Sequence, residues 1–148
     1  SVFPYTPATN LLYGLKEALI LLKEEGLDQV FARHRRLAEA TRKAVQGWNL
    51  EMNALHSHEF SDSLTAVRMP EGHDADQFRK VVLENFNVSL GNGLGKIQGK
   101  VFRIGHLGDF NAPMLLGTLG AIEMGLELAR VPFKPEGVRA AMDELVKN

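Results

Sequence analysis

The chain has no cysteine and a single tryptophan among its 148 residues. The first absence excludes a disulfide scaffold, a thiol nucleophile and any cysteine-ligated zinc or iron–sulfur centre. Neither sign of charge prevails: 17 Lys and Arg stand against 18 Asp and Glu, a formal net charge of −1. With no basic field, neither nucleic acid nor an anionic membrane is an expected partner. Long apolar runs are missing too. The longest, around Leu19–Leu22, falls far short of the roughly 20 residues of a membrane span. Ser1–Asn10 has no basic stretch followed by an apolar block, and Val146-Lys147-Asn148 matches no retention or peroxisomal tag. By elimination, a soluble cytoplasmic protein is expected. The length suits one domain with a real core. Glycine is plentiful and uneven: six of the 14 fall between Gly91 and Gly108.

Hydrophobic spacing predicts the elements. Thr9 or Asn10 is placed to cap a helix in which Leu11, Leu15, Ala18, Leu19 and Leu22 recur on one side, with Gly26 ending it. A second helix carries an apolar stripe of Leu27, Val30, Phe31, His34, Leu37, Ala38, Thr41, Val45 and Trp48, with Arg33, Arg36, Glu39, Arg42 and Lys43 as its wet side. Strands are expected at Leu50–Met52, Leu64–Met69, Asn87–Leu90 and Val101–Gly105. Helices are expected from Asp74 or Asp76 to Phe86, over Ala112–Ala129 up to Pro132, and over Lys134–Val146. Few strands with longer helices predict an α+β fold: a small, mostly antiparallel sheet of three to four strands, with helices packed on one face. The expected organisation is an extended arm at 1–10, two linking helices at 11–48, and sheet and helices at 49–148.

Candidate chemistry is sparse. Gly91-Asn92-Gly93-Leu94-Gly95-Lys96 fails as a phosphate loop: a dinucleotide fingerprint needs glycine where Lys96 stands, Gly95-Lys96 is followed by Ile97, and a strand rather than a helix comes next. The segment reads as a flexible connection between strands, or as a loop that lets a substrate approach the backbone. Arg103 is more informative. Alternation puts Val101 and Arg103 on one face of their strand and Phe102 and Ile104 on the other. Arg103 either points to solvent or serves as a planar fork for a substrate carboxylate. His34 reads as a packed core residue, while His106 either lines the same cavity as Arg103 or is solvated. His56 and His58, near Glu59 and Asp62, lack a further ligand at recognisable spacing, so no metal site is expected. Arg33-His34-Arg35-Arg36 reads as a solvated helix face. No Ser-His-Asp grouping and no lysine in an obvious apolar pocket appear.

The order of the pieces carries a resemblance. Phe3-Pro4-Tyr5-Thr6-Pro7-Ala8-Thr9-Asn10 leads into the Leu-rich helix, followed by Glu25-Gly26-Leu27 and Val30-Phe31-Ala32-Arg33-His34. Asp62-Ser63-Leu64-Thr65-Ala66-Val67, Gly93-Leu94-Gly95, Gly99-Lys100-Val101-Phe102-Arg103-Ile104-Gly105-His106 and Leu107-Gly108 come after. The chain resembles, over essentially its whole length, the C-terminal part of the serine–glyoxylate and alanine–glyoxylate aminotransferases. These are class V members of the fold type I pyridoxal-phosphate enzymes. The resemblance implies the small C-terminal domain of such a homodimer, acting on small amino acids and 2-oxo acids. Arg103 matches the arginine that binds the substrate α-carboxylate. Thr6 matches the threonine that reaches the cofactor phosphate of the other subunit. Phe3 stands where the family has a tyrosine and lacks its hydroxyl; Tyr5 is the nearby substitute. No lysine here matches the Schiff-base lysine, so the large cofactor domain is expected to precede Ser1 and the chain is expected to be an inactive fragment. A non-catalytic, self-associating interaction module and another class V transaminase, of the isopenicillin-epimerase or phosphonate-pathway kind, stand as alternatives.

Overall fold

The computed structural model describes residues 4–147. Contacts divide the chain into two compact units, the first ending at Arg33 and the second beginning at His34.

The first unit holds helix α1 (Thr9–Glu25) and the start of α2 (Leu27–Gly47). Helix α1 begins one residue earlier than the cap signal implies: Ala8 is its N-cap and no side chain caps it. Its other end follows expectation, with Gly26 at φ 83° donating its N–H to the Leu22 carbonyl. The apolar residues of α1 recur on one side, yet no residue of α1 is buried. Leu11, Tyr13, Leu15 and Leu19 are each more than half exposed, as are Leu27 and Phe31 at the start of α2. Periodicity reports that a face is apolar; what covers the face is not written in it.

The second unit contains the core. Strands β1 (Glu51–Met52), β2 (Leu64–Arg68), β3 (Gly91–Asn92) and β4 (Val101–Gly105) form one antiparallel sheet in the order β1-β2-β4-β3. The later half of α2 packs with α3 (Ala75–Phe86), α4 (Ala112–Leu128) and α5 (Gly137–Leu145) against the face that carries Val67, Phe102 and Ile104. This is the α+β architecture expected, a four-stranded antiparallel sheet with its helices on one face. Phe78 of α3 meets Phe102 of β4 at 4.9 Å between ring centroids.

Local chemistry sets several of the boundaries. Asp74 caps α3 by accepting from the N–H groups of Asp76 and Gln77, and Asn111 caps α4 by accepting from Met114. Two predicted elements move. The strand expected at Asn87–Leu90 lies instead at Gly91–Asn92, because Asn87 adopts the left-handed conformation (φ 54°) that ends α3. Helix α5 starts at Gly137, not Lys134.

Candidate functional site

Strand β4 sorts its side chains as alternation requires: Phe102 and Ile104 are fully buried toward the helices, and Arg103 stands half-buried on the opposite face. Antiparallel register places Ala66 of β2 on one side of Arg103 and Gly91 of β3 on the other. Both neighbours are small, which leaves the long side chain room to lie down. It leans over Gly91: a methyl built there would sit 3.1 Å from both Cβ and Nε of Arg103 and 3.6 Å from Cζ. The Nε atom is buried and has no hydrogen-bond partner. Among the described residues no carboxylate pairs with this guanidinium. A buried, unpaired cationic donor is costly unless an acceptor completes it. The arrangement therefore suits an anion that accepts from two guanidinium nitrogens at once, as a carboxylate does.

The glycine run is more structured than a flexible connection. The Gly93 N–H donates to the Val101 carbonyl at 2.9 Å, and a Cβ at Gly93 would fall 2.1 Å from the Ile97 carbonyl oxygen. Gly93 thus permits the tight return of Gly95–Ile97, a single 3-10 turn, into β4.

His106 does not share the face of Arg103. It is fully buried, and Thr65, its hydrogen-bond partner at 3.0 Å, is the register partner of Ile104 on the helix-covered face. Its Nδ1 lies 3.1 Å from the Asp62 carbonyl oxygen. A carbonyl only accepts, so Nδ1 carries the proton and Nε2 accepts from the Thr65 hydroxyl. Burial, assisted by the positive charge of Arg42, pushes the His106 pKa down to about 4. It is a neutral structural imidazole. His34 is half-buried rather than core, and its Nε2 accepts the Gly108 N–H at 3.0 Å. His56 and His58 stack on each other at 5.4 Å between centroids. Among the described residues no group of three His, Cys, Asp or Glu is placed to hold a metal.

The arginine-rich start of α2 does more than face water. Arg33 forks onto Glu25 with two bonds of 2.7 Å, Arg35 pairs with Asp62 at 3.4 Å, and Arg36 donates to the Leu145 carbonyl. Thr6 and Tyr5 are exposed in the first unit, and among the described residues neither side chain has a hydrogen-bond partner. Phe3 lies outside the described residues. All eight lysines of the sequence are exposed. Among the residues that sequence reasoning missed, Gly91 and Thr65 matter most. Alternation read across the strand pair rather than along β4 was the signal available for them, but it needs the register.

A small antiparallel sheet covered by helices on one face, with Arg103 seated on the other, defines an α+β domain. The chain is 48% identical over 147 residues to the serine–glyoxylate aminotransferase of Hyphomicrobium methylovorum, covering 99% of this chain and 36% of that protein. It is 41% identical over 142 residues to the L-aspartate–glyoxylate aminotransferase of Paracoccus denitrificans (strain Pd 1222), covering 95% and 36%. The crystal structure of pyridoxamine–pyruvate aminotransferase from Mesorhizobium loti superposes with a TM-score of 0.92 at 32% identity, covering 98% of this chain and 38% of that one. No protein-family model matches the chain. Over nearly its whole length the chain is similar to these aminotransferases, and it spans a little over a third of their length.

Proposed function

We propose that the protein to which this segment belongs is a pyridoxal-phosphate aminotransferase that moves an amino group from serine or alanine to glyoxylate, and that Arg103 binds the substrate α-carboxylate. The observation that supports this most directly is the Arg103 side chain: half-buried, with an unpartnered Nε, between Gly91 and Ala66 on the open face of the sheet. A two-point grip on the carboxylate holds the substrate's Cα at a fixed place and orientation, which is where positioning contributes to rate.

Pyridoxal phosphate, when bound, supplies the electron sink for the transfer. The hydroxyls of Thr6 and Tyr5 are exposed, and hydroxyl donors fit phosphate oxygens. In this reading they serve the other subunit of a homodimer. The exposed apolar side of α1 supports such a neighbour. In this reading the lysine that anchors the cofactor is assigned to the rest of the protein. A cytoplasmic location and membership of class V are parts of the same reading. That α1 surface also favours the alternative of a self-associating module without catalysis. The amino donor is the least constrained part: the relatives named above include an L-aspartate enzyme and a pyridoxamine enzyme.

The full-length protein tests this. Arg103→Ala should raise the KM for the amino donor about a hundredfold, the scale of losing one partner of a desolvated charge pair, ~3 kcal/mol. Arg103→Lys should recover only part of it, since an ammonium cannot fork. An unchanged KM removes Arg103 from the site. Absence of any transaminase activity in the full-length protein favours the interaction module. The isolated chain, incubated with pyridoxal phosphate, should develop no stoichiometric visible absorption band; a stable one contradicts its reading as an inactive fragment.

A further inference from the structure

Gly91 is not required by its own backbone. Its φ lies outside the left-handed region, unlike Gly95 at 55° and Gly99 at 69°, so any residue could adopt its conformation. Gly93 is constrained by the backbone of Ile97. Gly91 meets something different: the three atoms nearest a methyl at this position all belong to the Arg103 side chain, with Cβ and Nε both at 3.1 Å and Cζ at 3.6 Å. Normal carbon–carbon contact begins at about 3.5 Å. The shortfall at Cβ must be met by a few tenths of an ångström within the strand pair, and the shortfall at Nε by the side chain itself. Cβ of Arg103 is held by the β2–β4–β3 ladder, where the Arg103 backbone is paired with both Ala66 and Gly91. The distal side chain is free to yield, because Nε has no hydrogen bond to resist displacement.

We infer that Gly91 is a positioning residue for Arg103: the missing side chain on the edge strand is the seat in which the guanidinium lies, and it sets the direction in which the fork faces its carboxylate. The inference rests on the reading of Arg103 as the carboxylate grip. A methyl on Gly91 lifts the side chain at Nε, and the displacement grows toward the two terminal nitrogens. A two-point grip tolerates little misalignment, since both bonds must keep their geometry at once. The strand on the other side presents Ala66, a small residue that still carries a methyl, so the asymmetry between Ala66 and Gly91 lets the arginine lean toward β3.

The test is a double-mutant cycle in the full-length enzyme, with Gly91→Ala, Arg103→Ala and the pair. Measured quantities are the KM for the amino donor, inhibition by propionate as a plain carboxylate probe, and the melting temperature. Gly91→Ala should raise KM and the propionate Ki together, about tenfold, with the melting temperature held within a few degrees. In the Arg103→Ala background the same change should add nothing, because no fork remains to be misaimed. A purely structural glycine would instead lower the melting temperature and add its effect in both backgrounds, which overturns the inference. If Arg103→Ala raises KM and Gly91→Ala does not, the inference falls and the carboxylate reading survives. If Arg103→Ala leaves KM unchanged, the carboxylate reading falls and takes the inference with it. Should Gly91→Ala yield no folded protein, Arg103→Gly, which removes every contacted atom, should restore folding; failure to restore it also overturns the proposal.

Discussion

His106 shows how one residue ties this fold to pH. Both ring nitrogens are used, one by the Asp62 carbonyl and one by the Thr65 hydroxyl, and a second proton would place a positive charge in a buried site. In the unfolded chain the imidazole titrates near 6.5, in the fold near 4. Between these values the unfolded state binds a proton that the folded state refuses, so stability falls as pH drops from about 6.5 toward 4. The full effect is about 3 kcal/mol. Urea unfolding at pH 7 and pH 4.5 should show this loss in the parent chain and a much smaller one in His106→Asn; equal losses would mean that His106 is not held neutral. At this scale alternation along β4 placed Arg103 on the face opposite Phe102 and Ile104, while the sequence misled on His106. A histidine one residue beyond a strand carries no sign of which face it turns to, because that depends on the pairing of β2 with β4.

Among the elements, the joint of α2, α4 and α5 depends on a single carboxylate. Glu123 accepts from the Trp48 indole N–H at 2.7 Å and from the Val138 backbone N–H at 3.1 Å. Gly137 lies so close that a Cβ there would fall 2.1 Å from Trp48 Nε1. Trp48 itself is fully buried. Glu123→Ala leaves two donors without an acceptor and should lower stability by about 1–3 kcal/mol. Glu123→Gln keeps an acceptor oxygen and should lower it by less. Thermal melts followed by fluorescence check this, since Trp48 is the sole tryptophan. Elements with local signals were legible in advance: the Asp74 cap of α3, the Gly26 end of α1, and β4 with its alternation. Strand β3 was not, because its two residues are a strand only by virtue of lying beside β4, and nothing local distinguishes Gly91-Asn92 from a turn.

For the whole molecule, the contrast between the two units is the main feature. No helix among the described residues is long and apolar enough to cross a membrane, yet α1 leaves its leucines in water. Since α1 buries none of its own residues, deleting residues 1–26 should leave the melting temperature of the remaining chain within about 2 °C and raise its solubility, by removing an apolar patch. A fall of more than about 5 °C, beyond the shift of ~1 kcal/mol in a domain of this size, would show that α1 supports the core. By itself the sequence determined the helix periods, the Gly26 end of α1 and the two faces of β4, because these depend on neighbours a few positions apart. The resemblance to aminotransferases also lay in its motifs. Only the tertiary structure decided which apolar faces are covered, that His106 turns away from Arg103, and that Gly91 is the surface the arginine rests on. Those are facts of register and burial, set by residues tens of positions apart, and no local pattern encodes them.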